Sequence, residues 1–306
     1  MSPPSSPAAS RLLSVIVVAA DSGPALRECI RNVLDWPLRL ELLVLDNASN
    51  DGVPQAAARA WAHDPRLQVI YNRENLGFGT AVNRGAAQSS GDVLLVLNPD
   101  CMLAAPGATR LLEVLDSDTD IGLVGAVTCN AQGKPDPASW RRDPLFRRAV
   151  ASMLGLARAG VNITRPLPDH PVDAEAVSGA LMLLPRRVFE RVGGFDPGYF
   201  LHCEDLDLCR RVRDTGLRVV LAADVHVLHA KGGSSAHRPI FVSRHKHRGM
   251  WRWFRKFDPA ARNPLLAGLV WLGIWAHFAL QLPILFARKL LRRPGGNRHG
   301  EPGRGQ

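Results

Sequence analysis

"ELLVLDNASNDG", residues 41–52, joins an apolar run directly to a polar cluster. Leu42 to Leu45 are consecutive apolar residues, as in a strand buried on both faces, and such strands belong to parallel sheets covered by helices. Asp46, Asn47, Ser49, Asn50 and Asp51 follow at once. Ser, Asn and Asp favour helix N-caps, which accounts for Ser49 to Asp51. A cap does not account for Asp46, which abuts the strand. In open α/β sheets, ligands bind beyond the carboxyl ends of the strands.

The same alternation extends both ways. "LLSVIVVAA" (12–20) is another doubly buried strand, and Leu26, Ile30, Val33 and Leu34 give the following segment helical spacing. A helix is expected after Asp51, strands at 67–71 and 92–97, and a helix opening at "GFGTAVNRGAAQ" (77–88). Strands alternating with helices predict a mostly parallel sheet with helices on both faces. The fourth strand ends in Asn98–Pro99–Asp100, a second polar cluster on the same sheet. Each cluster alone is compatible with a turn or cap; together they favour a ligand site. The glycines of 77–85 do not form GxGxxG and no Walker lysine follows, which disfavours dinucleotide and P-loop sites. Residues 130–173, polar and Pro-rich, read as an irregular insertion.

"YFLHCEDLDLCRRVRDTG" (199–216) packs Glu204, Asp205 and Asp207 into four residues. With a helix beginning near Cys203, Asp205 shares a face with Leu208, Cys209 and Val212 and points inward. Asp207 sits at i−3 and i−4 from Arg210 and Arg211, the pattern of an exposed ion pair. Glu204 falls on the border.

The charge is uneven. Residues 231–306 carry 15 Lys and Arg against Asp258 and Glu301, whereas the rest is near neutral, and the total is +10. From Pro264 to Ala287 run 24 residues with no charged side chain, flanked by basic residues on both sides. A helix of that length reaches about 36 Å, enough for a bilayer core of about 30 Å. Basic flanks at both ends go against the positive-inside bias for a spanning helix. A helix lying in the interface, with Trp271 and Trp275 at headgroup depth, is therefore expected. Basic residues bracketing an apolar helix weaken a nucleic-acid-binding reading. Five cysteines without CxxC fit a reducing compartment, and residues 1–10 lack a signal-peptide core.

The pieces "VLDNASNDG", "NRENLGFGTAVNRG", "VLNPD", "VSGALMLLPRRVFERVGGFDPGYFLHCEDLDLCRRVRDTG" and "HAKGGSS" occur in this order over residues 12–235. In this the sequence resembles the family 2 glycosyltransferases of GT-A fold, particularly rhamnosyltransferase-like bacterial members. The resemblance implies a tail (1–10), a GT-A domain (11–235), a basic and apolar membrane-associating segment (236–293) and a basic tail (294–306). It implies an inverting transfer from a nucleotide-diphosphate sugar, with L-rhamnose from dTDP-rhamnose as the example the subgroup offers, onto a lipid-linked or cell-surface glycan at the cytoplasmic membrane face. Asp205 would be the general base. Asp21, Asp46, Asn75, Gly77, Gly79, Asn83, Asn98, Asp100, Gly179 and Ala180 would serve the donor. Asp100, with His229, would hold Mg²⁺ or Mn²⁺, and Glu204 and Trp140 would lie on the acceptor side. The first strand ends in Ala19–Ala20–Asp21 where relatives carry Thr–Tyr/Phe–Asn, and Asn98 replaces a carboxylate. A catalytically silent sugar-nucleotide-binding or scaffold protein at the membrane is the alternative these departures leave.

Overall fold

The computed structural model describes residues 11–156, 160–161, 163, 166–229 and 238–291. The expected terminal tails, and Gly232–Gly233–Ser234, lie outside the described residues. In chain order the first half contains β1 (Leu13–Ala19), α1 (Pro24–Leu34), β2 (Leu40–Asp46), α2 (Val53–Ala60), β3 (Leu67–Tyr71), α3 (Phe78–Gln88), β4 (Val93–Leu97), β5 (Cys101–Met102), α4 (Ala105–Asp116) and β6 (Ile121–Cys129). The second half contains β7 (Trp140–Arg141), α5 (Phe146–Met153), β8 (Val172–Asp173), β9 (Ala176–Val177), β10 (Leu181–Pro185), α6 (Arg186–Arg191), α7 (Glu204–Asp214), β11 (Arg218–His229), α8 (Pro239–Phe257) and α9 (Pro264–Leu291).

The main sheet runs β3-β2-β1-β4-β10-β6-β11-β5, with β8 beside β11. β1 to β4 pair in parallel, and β6 pairs in parallel with β11. β10 is antiparallel to both β4 and β6, so it joins two parallel blocks into one mixed sheet. The chain leaves β1 toward β2 and β3, then returns to the other side of β1 as β4. That reversal is a topological switch point, where the loops diverge and leave a crevice.

The uninterrupted apolar strands follow from burial on both faces. Val15, Val17, Leu42, Val44, Leu95 and Leu97 join one core with the apolar faces of α1 and α4. Ile16, Leu43, Leu45, Leu94, Val96 and Met182 join a second core with α3 and α7. The segment expected to be irregular carries β7, α5 and β8, and β7 pairs with β9 in a small second sheet. Part of that segment therefore belongs to the body.

Candidate active site

A cavity of about 570 Å³ opens at the switch point. Ala20 and Asp21 beyond β1, Asn47 beyond β2, and Asn98, Pro99 and Asp100 beyond β4 line one wall. Ser178, Gly179 and Ala180, between β9 and β10, join Glu204 and Asp205 of α7 at another. Asn75, Gly77 and His229 complete it among the predicted residues.

The first wall is organised by buried amides. The Asn47 side-chain oxygen accepts from Asn72 Nδ2 at 2.7 Å, and its amide donates to Asn75 Oδ1 and to the Gly77 carbonyl. The loop 72–77 is thereby fixed. Gly77 sits at φ +81, and a Cβ there would meet the Phe200 carbonyl at 2.6 Å, so no other residue fits. Asp21 has φ +53, donates its backbone N–H to Ser49 Oγ and accepts at 2.6 Å from the Asn50 N–H.

α7 presents the carboxylates. His202 and Cys203, just before it, both have positive φ, which is uncommon for non-glycine residues and marks a constrained turn beside the cavity. Asp205 Oδ1 accepts from the Leu206 N–H at 2.8 Å. Its Oδ2 accepts from the Gly179 N–H at 3.1 Å and from the Arg141 guanidinium at 2.5 Å. Burial pushes the Asp205 carboxyl up, but the Arg141 charge and these hydrogen bonds outweigh it and hold the group below the usual range. Glu204 lacks such partners among the described residues: its Oε2 is buried with no hydrogen bond to any of them. Burial and the neighbouring Asp205 charge push it up to about 8. The adjacent carboxyls are thus pushed in opposite directions, Asp205 toward its ionised form and Glu204 toward its protonated one, a separation typical of acid–base sites.

Asp100 and His229 form the second polar focus. Asp100 Oδ1 lies 3.2 Å from His229 Nε2, and the Cys101 sulfur is close to both. Burial raises the Cys101 thiol well above its ordinary value, so it stays neutral. The Asp100 carboxylate suits Mg²⁺ or Mn²⁺ completed by phosphate oxygens, and the His229 imidazole adds a nitrogen donor that Mn²⁺ accepts more readily than Mg²⁺. His229 Nδ1 is buried without a hydrogen-bond partner among the described residues. The donor set fits such an ion through Asp100 and His229.

Four predicted site residues lie elsewhere. Asp46 is buried, and its carboxylate accepts from the Ser49 N–H at 2.9 Å and Gln55 Nε2 at 3.3 Å, so it anchors the loop that carries the wall. Asn83 spends both ends of its amide on the Phe195 backbone. A Cβ on Gly79 would come within 2.8 Å of Phe195 Cβ, so that glycine serves close packing. Trp140 is in the second core and does not line the cavity. The expectation for Asp207 is corrected too: it is fully buried, ion-paired with Arg211 at 2.5 Å and with Lys256 of α8 at 2.6 Å. α7 is covered on two sides, by the sheet and by α8, and a single helical period does not reveal the second cover. Arg141, next to the predicted Trp140, is the site residue that periodicity missed. Arg238, Phe241 and Val242 at the start of α8 also line the cavity.

Comparisons with known proteins agree with this geometry. Residues 14–164 match the sequence profile of Glycosyl transferase family 2. An N-acetylglucosaminyl-diphospho-decaprenol L-rhamnosyltransferase of Mycobacterium tuberculosis H37Rv is 28% identical over 287 residues, covering 83% of this chain and 92% of that protein. A rhamnosyltransferase of Escherichia coli K12 is 28% identical over 55% of this chain and 60% of its own. A Pyrobaculum calidifontis mannosyltransferase solved with GDP-mannose and Mn²⁺ superposes with a TM-score of 0.56 at 21% identity, over 91% of this chain and 73% of its own. GalNAc-T7, solved with UDP, GalNAc and Mn²⁺, gives 0.60 at 17% identity over 82% of this chain, which spans half of that longer protein. These two likenesses show the GT-A fold. With the cavity at the switch point and the carboxylates of α7 inside it, the chain carries a glycosyltransferase family 2 domain over residues 14–164 and is a glycosyltransferase.

Proposed function

We propose that the enzyme transfers L-rhamnose from dTDP-rhamnose to a hydroxyl of a polyprenyl-diphosphate-linked glycan, with inversion at the sugar carbon, at the cytoplasmic membrane face. The observation that carries the chemistry is the Asp205 carboxylate in the cavity, held ionised by Arg141. The names of the relatives from M. tuberculosis and E. coli support the sugar, and the former supports the lipid-linked acceptor.

The acceptor oxygen forms a bond to the anomeric carbon as the bond from that carbon to the diphosphate oxygen breaks. The diphosphate leaves with the electron pair, and Asp205 takes the acceptor proton. A base so placed is typically worth ~10²–10⁴ in rate. With one ionised carboxylate here and Glu204 protonated, direct displacement is favoured over a covalent glycosyl-enzyme. Asp100 and His229 would hold the divalent ion, which when bound neutralises charge on the departing diphosphate. Asp21, Asn75 and Asn98 hold polar groups on the nucleotide side, and Gly179 and Ala180 border the sugar. Protonated Glu204 donates a hydrogen bond on the acceptor side.

Incubation of the full chain with dTDP-rhamnose, Mn²⁺ and polyprenyl-diphosphate N-acetylglucosamine should give a rhamnosylated lipid with inverted anomeric configuration. Transfer from a different nucleotide sugar in place of dTDP-rhamnose overturns the donor. A retained configuration overturns the single-displacement scheme.

A further inference from the structure

The C-terminal helices show a polar register within an apolar pair. α8 and α9 run as an antiparallel hairpin joined through Pro259–Arg262. His247 Nε2 of α8 meets His277 Nδ1 of α9 at 3.0 Å, and Ser243 Oγ donates to Gln281 Oε1 at 3.2 Å. Gln281 Nε2 bonds in turn to His277 Nε2 at 3.1 Å. His277 stands near the middle of the uncharged stretch Pro264–Ala287, so these bonds clamp the centre of α9 to α8. Ala267 and Leu285, toward either end of that stretch, are buried.

α8 is in turn part of the catalytic body. Trp253 is fully buried in the second core, and Lys256 pairs with Asp207 and Asp196 of the body at 2.6 and 2.8 Å. Arg252 pairs with Asp196 at 2.9 Å. α8 also carries exposed Arg244, Lys246 and Arg248 and no acidic residue. Pro264–Ala287 is long and apolar enough to cross a bilayer, yet its centre is fastened to this basic helix. Threading α9 across would carry α8 charges into hydrocarbon, where they are expensive, or break the ladder and leave His277 and Gln281 unpaired there. Meanwhile Leu265, Leu269, Leu272 and Leu280 are each more than half exposed.

We propose that the α8–α9 hairpin docks in the plane of an anionic bilayer surface, with the outer apolar face of α9 in the acyl boundary and the basic residues of α8 at lipid phosphates. Apolar area and positive charge on one hairpin match an anionic leaflet and no neutral apolar partner. Because Arg238, Phe241 and Val242 of α8 line the cavity, docking sets the cavity mouth beside the membrane surface. An acceptor then enters with its polyprenyl tail still in the bilayer. This last step rests on the lipid-linked acceptor proposed above; the docking itself does not.

Flotation of the full chain with phosphatidylcholine vesicles, and with vesicles containing phosphatidylglycerol, tests the docking. Binding should be stronger to the anionic vesicles and fall only partly in high salt. Reversing Arg244 and Arg248 (R244E, R248E) should lower anionic binding about fivefold or more per residue. Leu269→Glu with Leu272→Glu should weaken binding to both vesicle types while leaving dTDP binding unchanged, which also shows that the variant is folded. Equal binding to neutral and anionic vesicles overturns the charge half of the proposal. A tag after Gln306 should be cut by protease in inverted membrane vesicles and protected in right-side-out ones. Cutting in right-side-out vesicles shows a crossing helix and overturns the in-plane arrangement. None of these readouts uses sugar transfer, so failure here leaves the reaction standing, and a wrong donor leaves the docking standing.

Discussion

Replacing Arg141 by Gln removes the cation that keeps Asp205 ionised. The guanidinium contributes one short charge-assisted hydrogen bond, 2.5 Å, to a carboxylate that is largely buried. Hydrogen bonds to charged groups are worth about 1.5–3 kcal/mol, so without Arg141 the Asp205 carboxyl should rise and its ionised fraction at acidic pH should fall about 10–100-fold. The backbone N–H groups of Gly179 and Leu206 remain and keep the rise from being larger. The sign follows from the base form. In the wild type the lowered Asp205 stays ionised until acidic pH, and transfer fails as pH falls through its pKa. In Arg141→Gln the acidic limb of kcat/KM should lie at higher pH, with the rate at its foot about 10–100-fold below that of the wild type. Well above that limb the two enzymes should differ far less than at its foot. Arg141→Lys should restore most of the shift, since the charge returns without the guanidinium geometry. Steady-state transfer measured from pH 4.5 to 8.5 decides it. A folded Arg141→Gln enzyme with an unmoved acidic limb refutes the coupling of Arg141 to the base.

Asp205→Asn should lower kcat by at least about 10² while dTDP-sugar affinity changes little, read by transfer assay and by titration. Glu204, raised by burial, contributes stability that is present below its unfolded pKa and lost as pH rises toward about 8; the melting temperature of the wild type should fall over that window relative to Glu204→Gln, by scanning fluorimetry. Asp207→Asn should lower the melting temperature by several degrees, because a fully buried charge partner of Arg211 and Lys256 is lost. Asp100→Ala should weaken donor binding in Mn²⁺ and not in chelator; equal donor affinity for wild type and variant in Mn²⁺ would sink the metal assignment.

The sequence made the parallel block legible because burial on both faces removes alternation from its strands, as in Leu42–Leu45. Strand ends singled out Asn98 and Asp100, helical phase turned Asp205 inward, and the family resemblance added Asp21; all four line the one cavity. What it hid depends on contacts between distant segments. Arg141 reaches Asp205 across 64 positions from a two-residue strand with no periodicity. Asp46 looked like a ligand group because nothing local accounted for it, and its carboxylate is spent on Ser49 and Gln55. Asp207 looked exposed because the helix that covers it, α8, comes some 30 residues later in the chain.

Asp207 also bears on how the base is held in place. It lies two residues from Asp205 on the same helix, and its partner Lys256 belongs to α8, the helix whose N-terminal residues line the cavity. α7 is therefore braced at its carboxylate end from both sides: Arg141 and Gly179 hold Asp205, and Lys256 holds Asp207. A displacement of α8 would be felt at Asp207 before it reached the base. Substituting Lys256 by Met should accordingly disturb transfer more than donor binding, because the nucleotide-side residues Asp21 and Asn98 are held by Ser49, Asn50 and Ala180 at the strand ends and not by α8. A parallel loss of both, measured on the same preparation, would mean that α8 supports the whole cavity and not the base alone.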